Sequence, residues 1–199
     1  MAVAKYLGIK NVKSVVLQWP EMVPSLLSKK IDIIGGNIHG NPDRYKNFAF
    51  TAPAWWYATV VVAQKGNPKG IKAWADLTKP GIKLGVVAGT QASAWAKDAK
   101  IADVSQFTTG ALQFAALAAG RIDAVVEAEP PSVVFITENP KAEVQILKGM
   151  KDVPSAVWAN YARYGTRFQD CTLNMAYSRA LGELIMHGVI GRILEKHGF

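Results

Sequence analysis

The chain has 199 residues, half of them hydrophobic, with a formal net charge of +8 and a single cysteine. That length and apolar share can bury a substantial core in one or two domains, and no apolar run reaches ~18 residues, so no transmembrane helix is expected. The lone Cys171 excludes an intrachain disulfide, and the positive charge is spread without a Lys/Arg run or any zinc-finger or helix-turn-helix signature, which argues against nucleic acid and implies no more than mild attraction of anionic solutes.

The first stretch, MAVAKYLGIKNV, reads as the end of an amphipathic helix with Val3, Tyr6 and Leu7 toward a core, and it lacks the regions of a signal peptide. Residues 12–19 are predicted as a strand, 20–29 as a helix with Met22, Val23, Leu26 and Leu27 inward, and 32–35 as a strand. Strand, helix, strand at that spacing predicts a parallel βαβ unit. Asn41 and Pro42 then have the pattern of an N-cap followed by the first helical position. Trp55, Trp56 and Tyr57 precede a β-branched strand over 58–64, and the Gly/Pro-rich residues 66–70 mark a boundary.

Beyond it, strands are expected at 82–87, 103–107, 123–126 and 143–146, alternating with helices at 91–99, 109–119 and 130–138. A strand over 155–162 returns toward the first region, and two helices joined near Gly188 close the chain.

Arg44 offers a planar fork suited to a carboxylate, although the pattern alone equally allows an exposed arginine on a surface turn. Gly89-Thr90-Gln91 lies between a strand and a helix, where a threonine cap and a seat for an anion are both consistent. Trp19 and Trp55 are candidates for an aromatic box around a delocalised cation, with Trp56 assigned to the core. Cys171, among Phe168, Leu173 and Met175, reads as a core filler, and His187 and His197 read as structural or exposed. No metal-ligand cluster, phosphate loop or serine elbow occurs, so no cofactor or metal is expected.

The stretch NIHGNPDR…FTAPAWW resembles the GMTITPER-like turn and FS-PYY-like segment of type II periplasmic solute-binding proteins of the amino-acid transporter branch. The resemblance continues through QKGNPKGIKAWADL, KLGVVAGTQASAWAKDA, ALQFAALAAGRIDAVV and LEKHGF, in order, over nearly the whole chain. It implies a two-lobed α/β fold with parallel-type sheets flanked by helices. Lobe 1 would comprise residues 1–63 and 158–199, lobe 2 residues 64–157, with two hinge crossings and a ligand cleft between the lobes. It also implies that the chain starts partway through an incomplete lobe 1, one strand and helix short.

By the same resemblance Arg44 clamps a ligand carboxylate, met by Thr90 and Gln91 from lobe 2, while His39 stands where relatives carry a small hydroxyl residue and is a candidate donor to the ligand. Relatives usually place an aspartate, which holds the α-ammonium, where this chain has Ala128, flanked by Glu127 and Glu129. In an extended segment either both glutamates or Ala128 would face the cleft. The aromatic set, the missing aspartate and the terminal HGF look most like the ectoine/hydroxyectoine-binding branch. A periplasmic, monomeric receptor that delivers its solute to the permease of an ABC importer is therefore expected. A polar amino acid held by Glu127 or Glu129 is the alternative ligand, and a cyclohexadienyl-dehydratase-like enzyme is the alternative of another class.

Overall fold

A computed structural model describes residues 1–154, 157 and 160–198, apart from the side chains of Asn37 and Asn160. It divides into two compact units. Unit 1 comprises Met1–Leu17, Glu21–Trp56 and Asn160–Phe199, and unit 2 comprises Gln18–Pro20 and Tyr57–Ala159.

Unit 2 is built on a five-stranded sheet in the order β6-β5-β7-β4-β8, from β4 (Thr59–Gln64), β5 (Leu84–Val87), β6 (Val104–Phe107), β7 (Ala124–Ala128) and β8 (Val144–Ile146). β5 runs parallel to β6 and β7, whereas β4 runs antiparallel to β7 and β8. The sheet is therefore mixed rather than of parallel type. β4 carries an unbroken apolar run because both faces are covered and successive side chains point oppositely. Val61 joins Leu84, Val86, Ala124 and Val126 on one face, against Trp74 and α4 (Gln91–Asp98). Val62 joins Val125 and Val144 on the other, against α5 (Gly110–Ala118) and α6 (Glu129–Glu138). Trp74 meets Trp95 edge-on at 5.2 Å, and Phe114 stacks on Phe135 at 4.6 Å.

Pairing with β7 and β8 makes β4 a member of unit 2, so the division falls at Tyr57 and not at residue 64. The expected return strand over 155–162 is displaced to β9, Asn160–Thr166, and residues 155, 156, 158 and 159 lie outside the described residues.

In unit 1, β9 is the organising strand. It pairs antiparallel with β1 (Ile34–Ile38) and β2 (Ala49–Phe50), and also with β3 (Trp55–Tyr57). α1 (Ala2–Tyr6), α2 (Met22–Leu27), α3 (Pro42–Tyr45), α7 (Cys171–Met186) and α8 (Val189–Lys196) complete it. Val3, Ala54, Ala180, Leu181 and Leu184 form its apolar cluster, joined by Leu7 and Trp55, while Tyr6 is exposed. In α2 Ser25 and Leu26 are buried and Leu27 is exposed, so the inward face differs from the predicted one.

The expected βαβ unit is absent from the described residues. Residues 9–18 form no regular structure and Val16 is 94% exposed. A Val-rich run becomes a strand only when another strand pairs with it, and no described strand pairs with this one. β1 finds its neighbour in β9 and is antiparallel to it. Cys171 corrects a second expectation. It is exposed at the first position of α7 instead of filling the core.

Arg167, just past β9, is buried. It donates to Leu26 O at 3.0 Å, Ile31 O at 2.6 Å and Asp32 Oδ1 at 2.7 Å, and its Nε lies 2.6 Å from Asp170 Oδ2. Leu26 O, which also accepts from Lys29 N at 3.1 Å, and Ile31 O in the loop after α2 are thereby tied to β9. Among the described residues no helix is long and apolar enough to cross a membrane.

Candidate functional site

Arg44 is held by local chemistry that the sequence dictates. Asn41, in extended conformation, accepts a 2.8 Å hydrogen bond from Arg44 N, and Pro42 opens the single turn of α3. Arg44 Nη1 donates to His39 O at 3.0 Å and lies 3.1 Å from His39 Nε2 and 3.5 Å from Nδ1. His39 is only 8% exposed. Gly40 between them lets the outer end of the Tyr45 ring lie against the backbone, and a Cβ there would displace that ring. The arginine fork is thereby oriented before any ligand arrives, which lowers the entropy cost of binding a planar anion. His39 meets Arg44 itself, a contact its sequence position did not reveal.

Thr90 caps α4. Its Oγ1 accepts from Ser93 N at 3.3 Å and donates to Val87 O at 2.7 Å, so both capping and turn closure use the hydroxyl. Gln91 opens the helix, and its Oε1 is buried without a hydrogen-bond partner among the described residues. A buried acceptor left unpaired costs on the order of 1–3 kcal/mol.

Trp19 departs from its expected place. It ends no first-lobe strand but starts a 3-10 turn, Trp19–Glu21. It groups with unit 2, where its indole N–H donates to Gly89 O at 2.8 Å. Gly89 has φ +75°, and a Cβ there would stand 3.3 Å from the Trp19 ring, so glycine is needed for both conformation and space. Trp55 and Trp56 exchange their expected roles. Trp55 packs on the apolar cluster of unit 1, while Trp56 is 51% exposed, because neighbouring strand residues face opposite ways.

Glu127 follows the buried run Ala124–Val126 of β7. Its Oε2 accepts from Gln113 Nε2 at 2.6 Å and its Oε1 from Ala128 N at 2.8 Å. Burial pushes its carboxyl above the usual carboxylate range, opposed by the Ala128 N–H and then by Gln113. Glu129 is the first residue of α6 and its N donates to Ala58 O at 2.8 Å. The alternation expected across Glu127, Ala128 and Glu129 fails because the strand ends at Ala128 and the helix begins at Glu129. Gln113 was missed by sequence reasoning. The available signal was its place as the lone polar side chain in the apolar helix GALQFAALA.

Among the described residues no group of three His, Cys, Asp or Glu could hold a metal.

The model of the bacterial extracellular solute-binding proteins, family 3, matches residues 1–199, and the chain belongs to that family. The lysine/arginine/ornithine-binding periplasmic protein of Escherichia coli K12 is 28% identical over 179 residues, covering 88% of this chain and 68% of that protein. Other curated relatives are spanned over only about half their length. An ancestral arginine-binding protein bound to arginine superposes with a TM-score of 0.86 at 29% identity, over all of this chain and 84% of its own. An ancestral amino acid-binding protein described as a precursor of cyclohexadienyl dehydratase matches with a TM-score of 0.84 at 26% identity, over 98% of this chain and 80% of its own. The fold is accordingly the two-lobed type II periplasmic-binding fold, with mixed sheets flanked by helices.

Proposed function

We propose that the chain is the solute receptor of an ABC importer for an L-α-amino acid, held in the periplasm and delivering its solute to permease subunits as a monomer. The observation that carries this is the pre-set guanidinium of Arg44, whose backbone is capped by Asn41 and whose Nη1 is held by His39, at a short helix after β1. Arg44 receives the α-carboxylate, and the turn at Gly89, Thr90 and Gln91 is the second anion-receiving element. The Thr90 hydroxyl and backbone N–H both already go to Val87 O, so the N–H of Gln91 is the donor there. Gln91 Oε1 takes the α-ammonium, which supplies the donor that this buried oxygen lacks among the described residues. Glu129 assists it. Glu127, committed to Gln113 and Ala128 N, leaves the ligand set. Trp55 shapes the pocket from its cluster, and Trp19 acts by holding the Gly89 turn.

The amino-acid assignment replaces the ectoine expectation because the relatives named above are described as binding amino acids. Calorimetry with L-arginine, L-glutamine and ectoine tests it. An amino acid should bind, and Arg44→Ala should cost about 2–5 kcal/mol of its affinity. Ectoine as the tighter ligand, unchanged binding by Arg44→Ala, or turnover of prephenate would each overturn the proposal.

A further inference from the structure

The N–H groups from the N-cap to the third helical residue have no partner within an α-helix, and they give its start an affinity for anions. In unit 2 the helices that follow β5 and β7 treat these groups in opposite ways. The two strands run parallel, with Leu84 opposite Ala124 and Gly85 opposite Val125. Their carboxyl ends therefore lie side by side at one end of the sheet, where α4 and α6 begin.

At α4, Thr90 N donates to Val87 O at 3.3 Å and Ser93 N to Thr90 Oγ1 at 3.3 Å. The N–H groups of Gln91 and Ala92 remain, the first of them the donor assigned to the solute. At α6 none remains. Ala128 N donates to Glu127 Oε1 at 2.8 Å and Glu129 N to Ala58 O at 2.8 Å. The next two residues are Pro130 and Pro131, which have no N–H. Proline is favoured at the first helical position for its preset φ. Here Glu129 takes that position, and the prolines fill the second and third, where each removes a donor.

We infer that Pro130 and Pro131 are specificity-determining residues, which strip the start of α6 of donors so that it refuses a carboxylate and leaves the solute's anion to α4. This rests on the reading of the Gly89 turn as an anion seat and of Glu129 as an aid to the ammonium. The positive end of a helix is largely the charge on its unsatisfied N–H groups. A start without them, carrying the Glu129 carboxylate, loses its pull on anions and suits a cation. A solute is thereby held in one orientation, and one with a second carboxylate at that end is turned away.

Two measurements on the full chain test this, with Pro130→Ala/Pro131→Ala and with Pro131→Ala alone, an exposed site whose change keeps one proline at the helix start. In the first, inorganic phosphate is added and backbone amides are followed by NMR. The Ala128 and Glu129 amides of the wild type should not shift. In the double variant the new amides at positions 130 and 131 should shift, and in the single variant the one at 131. A shifted Glu129 amide in the wild type, or unmoved new amides in both variants, overturns the inference. This arm needs no solute. A Gln91 amide that phosphate leaves unmoved would instead overturn the anion seat at α4, so the two failures are separable. In the second, calorimetry compares L-arginine with succinate, which carries a carboxylate at each end. The double variant should lower the ratio of L-arginine to succinate affinity about tenfold, and an unchanged ratio overturns the inference.

Discussion

The two units reach stability by different means. In unit 2 the sheet is clad on both faces, and β4, β5 and β7 contribute alternate side chains to two apolar clusters. In unit 1 three short strands depend on one partner, β9, and the loop after α2 is held by the buried Arg167. Apolar cladding is non-directional and tolerates small shifts. A buried charge that donates to two carbonyls and a carboxylate depends on direction, and its removal leaves a buried acceptor short of a donor. The unit that carries Arg44 is thus the one held by directional polar contacts. Segments of low local stability are commonly those that must move for binding.

Breaking each unit at its own support sharpens the contrast. The largest effect is expected from Trp74→Ala in unit 2. Trp74 is buried against Trp95, and the change should cost about 3–5 kcal/mol. Hydrogen exchange should accelerate in β4, β5 and β7 and leave β1 and β9 unchanged. Equal acceleration in both units would mean they unfold together.

Arg167→Met should cost less, about 2–3 kcal/mol. Asp32 is largely exposed, so the ion pair itself adds little, and the loss is chiefly the donor to Ile31 O, since Leu26 O keeps Lys29 N. Exchange should here quicken in β1, α2 and β9 alone. Protection unchanged in those elements would show that the carbonyls find other donors.

Glu127→Gln should have the smallest effect and the opposite sign. The folded carboxyl titrates above its unfolded value through burial. Below the unfolded value of 4.5 both states are protonated, and as the pH rises through the folded value the wild type loses stability. The glutamine variant should therefore melt higher than the wild type near neutral pH and lose that advantage toward ~pH 4. The new amide nitrogen takes the place of Oε2 opposite Gln113 Nε2, so Gln113 must turn its Oε1 toward it to accept. A variant that melts lower than the wild type at neutral pH would mean the ionised carboxylate is needed.

Unit 2 was legible in the sequence almost element by element, because β4 to β8 and α4 to α6 each carry their own periodicity and caps, such as Thr90 and Thr109. Arg44 was legible too, through Asn41 and Pro42. Unit 1 was less so. Residues 12–19 have strand composition and no strand partner, and composition does not record whether a partner is present. The role of Arg167 left no trace, since its acceptors are carbonyls 136 and 141 positions away. Trp19 and Trp55 were recognised as aromatic but not placed. A ring's side of a strand, or its hydrogen bond to Gly89, follows from tertiary approach and from no local pattern.

The dependence of β1, β2 and β3 on β9 also sets a timetable for synthesis. Ile34 pairs with Gly165 and Ala49 with Thr166, so neither strand has its neighbour until the ribosome has passed the end of β9. At roughly 5–20 residues per second the early segment waits for several seconds with its backbone unmatched. The strands and helices of unit 2 between β4 and β8 form one uninterrupted stretch of chain and can condense during that interval. Unit 1 can be completed only after that interval, and the waiting segment is where a nascent-chain holdase would act.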